Sequence, residues 1–121
     1  MIKGIGTDII EISRIKKSME NPRFLEKNFT DSENEYFIKK NMNAESVAAA
    51  FAAKEAFSKA LGTGISGFSH KDIEVLHNEC GAPYIKLHNS AMKHCDDKNI
   101  YLSLSHSREY ATAVVVIEEG I

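Results

Sequence analysis

The sequence predicts an α+β domain with a mostly antiparallel sheet packed against a long alanine-rich helix. Three observations carry that reading. Apolar residues alternate with polar ones near both ends of the chain; an alanine-rich stretch of helical composition lies between them; and two short alternating runs flank a turn-rich segment, the mark of a hairpin. The pattern is that of a single domain over residues 1–121, since no repeat, low-complexity tract or Pro/Ser linker divides it.

Residues 2–9 read as a strand, after which Ile12, Ile15 and Met19 recur at helical spacing. Pro22 interrupts, and a short helix through Phe24 and Leu25 follows. Thr30-Asp31-Ser32-Glu33 has the spacing of a capping box and opens a helix through Tyr36, Phe37 and Lys40. Asn43 caps the next helix, about 44 to 61, which closes at Gly62-Thr63-Gly64, where glycine supplies a left-handed residue. Ile73 and Val75 alternate with Asp72 and Glu74, and Ile85 and Leu87 with Tyr84 and Lys86, around a turn at 78–83. A short helix near 89–96 precedes alternating Ile100, Leu102 and Leu104. The doubly apolar run from Ala111 to Ile117 then reads as a central strand.

Composition bounds what such a domain does. With 121 residues, 43% hydrophobic and 26% charged, the chain is long enough to bury a core without disulfide staples. A formal net charge of −2 argues against a whole-surface attraction to nucleic acid or to an anionic membrane. Cys80 and Cys95 form neither a zinc half-site nor a disulfide framework and read as buried, reduced thiols. The start of the chain lacks the pattern of a signal peptide and no apolar run approaches the roughly 20 residues of a membrane span, so the expected address is the cytoplasm.

Three clusters carry candidate chemistry. Asp8 shares a strand face with Gly4 and Gly6, a face with no side chains to crowd it, opposite Ile5 and Ile9. Either something approaches closely there or Asp8 caps the following turn. A dinucleotide-binding reading fails, because Ile9 stands where a third glycine is needed. On the alanine-rich helix Val47, Phe51, Phe57 and Leu61 form one apolar arc, with Glu55 and Lys59 together on its flank beside Ala48 and Ala52. Glu55 and Lys59 are either an ordinary exposed ion pair or, with small alanines leaving room, the edge of a ligand site. Lys54 falls inside the arc, which expects a buried stem with the ammonium at a rim or an anion. Finally His106 ends the strand of Ser103-Leu104-Ser105-His106-Ser107, as a ligand-lining residue or a hydrogen-bonded core histidine. Adjacent strand residues point to opposite faces, so Ser105 and His106 make no hydrolytic dyad. His70, His77, His88 and His94 show no metal-ligand spacing.

Taken together, Gly6-Thr7-Asp8-Ile9-Ile10-Glu11-Ile12 with Arg14-Ile15, Phe51-Ala52-Ala53-Lys54-Glu55-Ala56 with Lys59-Ala60-Leu61-Gly62-Thr63-Gly64, Gly81-Ala82-Pro83 and Ser103-Leu104-Ser105-His106 resemble the holo-acyl-carrier-protein synthases. These are the small, single-domain 4'-phosphopantetheinyl transferases. The resemblance runs in register from the first strand to the last. It implies transfer of phosphopantetheine from coenzyme A to a serine of apo acyl carrier protein, releasing adenosine 3',5'-bisphosphate, in support of fatty acid biosynthesis. It also implies Mg2+ held by Asp8 and Glu55, with Glu55 and Lys59 as the catalytic residues. The implied coenzyme A set is Lys39, Lys40, Lys54, Lys59, Gly62, Gly81, Pro83 and His106. One departure is Ala50, where many relatives carry arginine, and Lys39 and Lys40 are the candidates to meet the 3'-phosphate instead.

The implied carrier protein is acidic, which gives a purpose to Arg14, Lys16, Lys17, Arg23 and Lys27, opposed only by Glu20 and Glu26. Arg14, Lys17, Arg23 and Lys27 are the expected carrier-protein contacts, the alternative being a solvated basic face. The resemblance further implies a homotrimer with active sites between subunits. A rival from another class is a noncatalytic domain that binds coenzyme A or another nucleotide through Lys54, Lys59 and Gly81; binding that needs neither Asp8 nor Glu55 distinguishes it.

Overall fold

A computed structural model describes residues 1–62 and 67–120. Strand β1 (Ile2–Glu11) leads into helices α1 (Ile12–Ser18), α2 (Pro22–Asn28), α3 (Asp31–Lys39) and α4 (Ala44–Leu61). The hairpin β2 (Ile73–His77) and β3 (Pro83–Leu87) follows, then β4 (Lys98–His106) and β5 (Tyr110–Glu119). Two 3-10 turns, His70–Asp72 and Asn89–His94, flank the hairpin, the second standing where the sequence predicts a short helix. The larger sheet is antiparallel in the order β1-β5-β4, so the doubly apolar strand is central as expected.

Helix boundaries follow from their caps. The Asn21 side chain accepts from the Arg23 N–H with Pro22 in the first turn, Thr30 and Glu33 form the full capping box of α3, and Asn43 accepts from Ser46 N–H at 2.8 Å to open α4. Gly62 closes α4 at φ 81°; Thr63 and Gly64 lie outside the described residues.

Helix α4 lies across the inner face of the larger sheet, and the glycines of β1 let it do so. A Cβ on Gly4 would overlap the carbonyl oxygen of Ala60, and one on Gly6 would overlap that of Ala56 and crowd the Ala60 nitrogen. What approaches the uncrowded face of β1 is therefore the helix backbone. The alanines expected to leave room for a ligand are in the same seam, with Ala48, Ala52, Ala53 and Ala56 fully buried. Burial extends almost all round α4, while Phe51 and Leu61, read as core stripe, are only half-buried.

This seating turns the isoleucines of β1 outward. Ile5 and Ile9 are each 64% exposed, and Val114 and Tyr101 share that outer sheet face with them. Of the two thiols, Cys95 is buried as expected but Cys80 is exposed, because it sits at the tip of the β2–β3 turn, where Gly81 adopts φ 85°. Among the described residues no helix is long and apolar enough to cross a membrane.

Candidate active site

Asp8 projects from the inner face of β1, two residues beyond the glycine that seats α4. Its Oδ1 lies 3.0 Å from Lys59 Nζ, in a contact where the Asp8 side chain is 16% exposed and the lysine 58%. As β1 advances from Gly4 to Gly6, its close contacts step back from Ala60 to Ala56, so strand and helix run in opposite directions. Asp8 thus reaches the flank of α4 that bears both Glu55 and Lys59, one turn apart. Of the two readings of Glu55 and Lys59, the ordinary ion pair is not formed: Lys59 turns to Asp8, and Glu55 Oε1 instead lies 3.0 Å from His70 Nε2. The sequence offered no sign of that histidine's role, since it comes from the 3-10 turn beyond the end of α4.

Lys54 corrects its expectation. Its side chain is fully enclosed, and Nζ donates to Glu33 Oε1 at 2.8 Å and to the carbonyl oxygens of His70 and Ile73 at 2.8 and 2.7 Å. All three ammonium protons are satisfied inside the protein, so the stem is buried and the anion met is the Glu33 carboxylate; what fails is the expected contact with coenzyme A, since no proton is left to reach a rim. Glu33 also accepts from the Thr30 and Val75 N–H groups. Burial pushes the Glu33 carboxyl up and the Lys54 ammonium down, and each partner's charge is the chief counterweight for the other.

A cavity of about 760 Å³ opens elsewhere on the molecule. Its walls are α3 and the turn after it (Tyr36, Lys40, Asn43), the first turns of α4 (Glu45, Ser46, Ala49, Ala50), the hairpin (Val75, His77, Gly81, Pro83) and the end of β4 with the residues after it (Leu104, His106, Ser107, Arg108). His106 is exposed at this mouth, so it is not a core histidine. Tyr36 and His77 stack at 4.0 Å with planes 6° apart, and Lys40 Nζ sits 5.7 Å over the tyrosine ring. Burial first, and the Lys40 charge second, lower the His77 pKa, which favours the neutral form of the stacked imidazole.

The structure therefore gathers Lys40, Gly81, Pro83 and His106 at one cavity and leaves Lys39, Lys54, Lys59 and Gly62 outside its lining. Ala50 is at the wall, as is Arg108, which sequence reasoning missed although a basic residue two places beyond His106 was a usable signal. Neither Asp8 nor Glu55 lines this cavity. Arg14, Lys17, Arg23 and Lys27 are all exposed on α1 and α2.

The donor types of Asp8 and Glu55 suit one kind of metal. Among the described residues no group of three or more His, Cys, Asp or Glu side chains gathers as a ready-made metal cage. Asp8 and Glu55 offer two oxygen donors, and Asp8 already faces a cation in Lys59. Two carboxylates with the remaining positions open fit Mg2+, which keeps its waters and meets substrate phosphate, rather than zinc.

Comparison with known proteins agrees with this arrangement. The family model for the 4'-phosphopantetheinyl transferase superfamily matches residues 4–115. A holo-[acyl-carrier-protein] synthase of Alkaliphilus metalliredigens is 56% identical over 120 residues, covering 96% of this chain and 98% of the relative. The crystal structure of a holo-(acyl-carrier-protein) synthase from Bacillus anthracis in complex with CoA (3',5'-ADP) superposes with a TM-score of 0.84 at 41% identity, covering 99% of each chain. The Helicobacter pylori holo-[acyl-carrier-protein] synthase in complex with coenzyme A gives 0.83 at 37% identity, covering 94% of this chain and 99% of the other. The chain belongs to the 4'-phosphopantetheinyl transferase superfamily and, within it, to the holo-[acyl-carrier-protein] synthases, enzymes that transfer phosphopantetheine to acyl carrier protein.

Proposed function

We propose that this chain, as one domain over residues 1–121, transfers 4'-phosphopantetheine from coenzyme A to a serine of apo acyl carrier protein in support of fatty acid biosynthesis. The observation that carries the reading is the seating of β1 on α4, which brings Asp8 to the flank holding Glu55 and Lys59. Asp8 and Glu55 hold Mg2+, and when bound it neutralises charge on the pyrophosphate and the leaving group. Lys59, more than half exposed, reaches the same phosphates once it leaves Asp8. Glu55 is the carboxylate placed to accept the proton of the carrier serine as its oxygen attacks phosphorus and adenosine 3',5'-bisphosphate departs.

The cavity with Lys40, Gly81, Pro83 and His106 takes the nucleotide end of coenzyme A. Tyr36–His77 offers a flat ring surface, and Lys40 and Arg108 offer charge for the 3'-phosphate where Ala50 has none. Lys54 plays no part in this binding. A homotrimer with active sites between subunits would set the carboxylates of one subunit against the cavity of another, and the outward Ile5 and Ile9 support a covered sheet face. Exposed Arg14, Lys17, Arg23 and Lys27 receive the acidic carrier protein. Two free cysteines are in keeping with the reducing cytoplasm.

The test is incubation with coenzyme A, Mg2+ and apo acyl carrier protein, followed by intact mass of the carrier. The expected result is the phosphopantetheine mass increment, lost without divalent metal and lost in Asp8→Ala. Turnover in Asp8→Ala near that of the wild type at limiting Mg2+ would remove the metal assignment, and no increment under any condition would remove the reading.

A further inference from the structure

We propose that His70 is a positioning residue that holds the Glu55 carboxylate in the orientation needed to meet the divalent cation, a role resting on the reading of Glu55 as a metal ligand. Glu55 sits on a helix flank, about one-third exposed, on a long flexible side chain. Its natural restraint is Lys59, one turn further on, but Lys59 is committed to Asp8 at 3.0 Å. The contact that restrains Glu55 in this structure is His70 Nε2 at 3.0 Å from Oε1. An ionised carboxylate only accepts, so against that form the hydrogen is carried by the imidazole nitrogen, and the second carboxylate oxygen is left for a cation.

His70 is itself held firmly enough to act this way. Its ring stacks on Phe51 at 5.2 Å between centroids and 29° between planes, and Phe51 lies one turn before Glu55 on the same helix. Its carbonyl oxygen is held at 2.8 Å by the enclosed ammonium of Lys54, which Glu33 anchors in turn. The turn that carries it is capped by Asp72 accepting from Ser69 N–H at 3.0 Å. Backbone and ring are both fixed to α4, so the imidazole orients Glu55 from a rigid support. Outer hydrogen bonds of this kind set the aim of a metal ligand, and their loss typically costs about 10–100-fold in metal affinity.

The experiment compares Mn2+ binding, read by electron paramagnetic resonance in the presence of coenzyme A and without carrier protein, among wild type, His70→Phe, His70→Gln and Glu55→Ala. His70→Phe keeps a flat ring against Phe51 and loses the N–H; His70→Gln restores an amide N–H at similar reach. The expected result is an affinity for Mn2+ about tenfold or more weaker in His70→Phe, at an unchanged melting temperature, with most of it recovered in His70→Gln. Should the phenylalanine not fold, His70→Asn, whose amide falls short of Oε1, serves as the loss variant. Wild-type Mn2+ binding in the loss variant, or a His70→Gln as weak as a folded loss variant, overturns the proposal. Wild-type binding by Glu55→Ala overturns the metal reading itself, whereas loss in Glu55→Ala beside wild-type binding in His70→Phe overturns only the role of His70.

Discussion

Lys54 and Glu55 are chain neighbours with opposite fates, and the difference lies in which way α4 turns each of them. The apolar arc placed Lys54 inward correctly, but its partner Glu33 belongs to α3, and only the docking of α3 on α4 brings the two together. Nothing in local sequence distinguishes a buried lysine that reaches a rim from one that ends on a carboxylate. Lys54→Met is expected to destabilise by about 3–5 kcal/mol in urea unfolding, because it strands a buried carboxylate, whereas Lys54→Met with Glu33→Gln should recover much of that loss. A second buried carboxylate gives a pH signature. Burial is the largest influence on Glu74 and pushes its carboxyl up, but hydrogen bonds from Thr30 and His88 outweigh it and hold the pKa below the ordinary 4.5. A lowered folded value means that the ionised form adds stability above the unfolded value, and that this gain is lost as pH falls through the folded value. Glu74→Gln should therefore cost about 1–2 kcal/mol at pH 7 and progressively less on acidification below 4.5, as followed by urea unfolding across pH.

The elements themselves were largely legible, since Pro22, the caps at Thr30, Asn43 and Gly62 and the turn at 78–83 mark where helices and hairpin begin or end. What sequence could not give is what fills the space that small residues leave. Gly4 and Gly6 announced a close approach, and the approaching object is α4 itself, so Ile5 and Ile9 on the opposite face turn out against the usual expectation that apolar residues face in. Gly6→Ala should then lower stability by about 1–3 kcal/mol or more, as overpacking does, and should also slow transfer, because Asp8 is carried two residues beyond the displaced seam. A protein of wild-type stability and rate would mean that strand and helix separate without consequence. Helix α1 behaves more simply: Ile12 and Ile15 are buried while Arg14 and Lys17 are exposed, so reversing both charges to glutamate spares the core. At ionic strengths where the Debye length is about 10 Å the double variant should raise the carrier-protein KM, weaken its salt dependence and leave the coenzyme A KM unmoved.

At the scale of the whole molecule, Asp8 meets Lys59 at the seam of β1 and α4, and neither Asp8 nor Glu55 lines the cavity bounded by the hairpin, the first turns of α4 and the end of β4. Of the residues that the resemblance grouped for coenzyme A, the cavity lining takes in Lys40, Gly81, Pro83 and His106 but not Lys39, Lys54, Lys59 or Gly62, a division that depends on tertiary packing and that local spacing does not carry. The outer face of that same sheet carries Ile5, Ile9, Val114 and Tyr101, an apolar surface unusual on an antiparallel sheet turned to water. On the proposed assembly, covering this face with further copies of the chain would remove apolar area from solvent and would let the carboxylates of one subunit complete the cavity of another. The consequence is sharp, because Ile5 and Ile9 touch neither part of the site and point away from α4. Ile5→Glu with Ile9→Glu places charges on the outer face without disturbing the glycine seam. The wild-type chain should scatter light as a trimer at micromolar concentration, and the double variant as a monomer with an unchanged circular dichroism spectrum. Its transfer activity should fall by at least about tenfold, recovering in part at high protein concentration as mass action restores the contact. A wild-type chain that is monomeric and fully active at the same concentration would place both parts of the working site within one subunit.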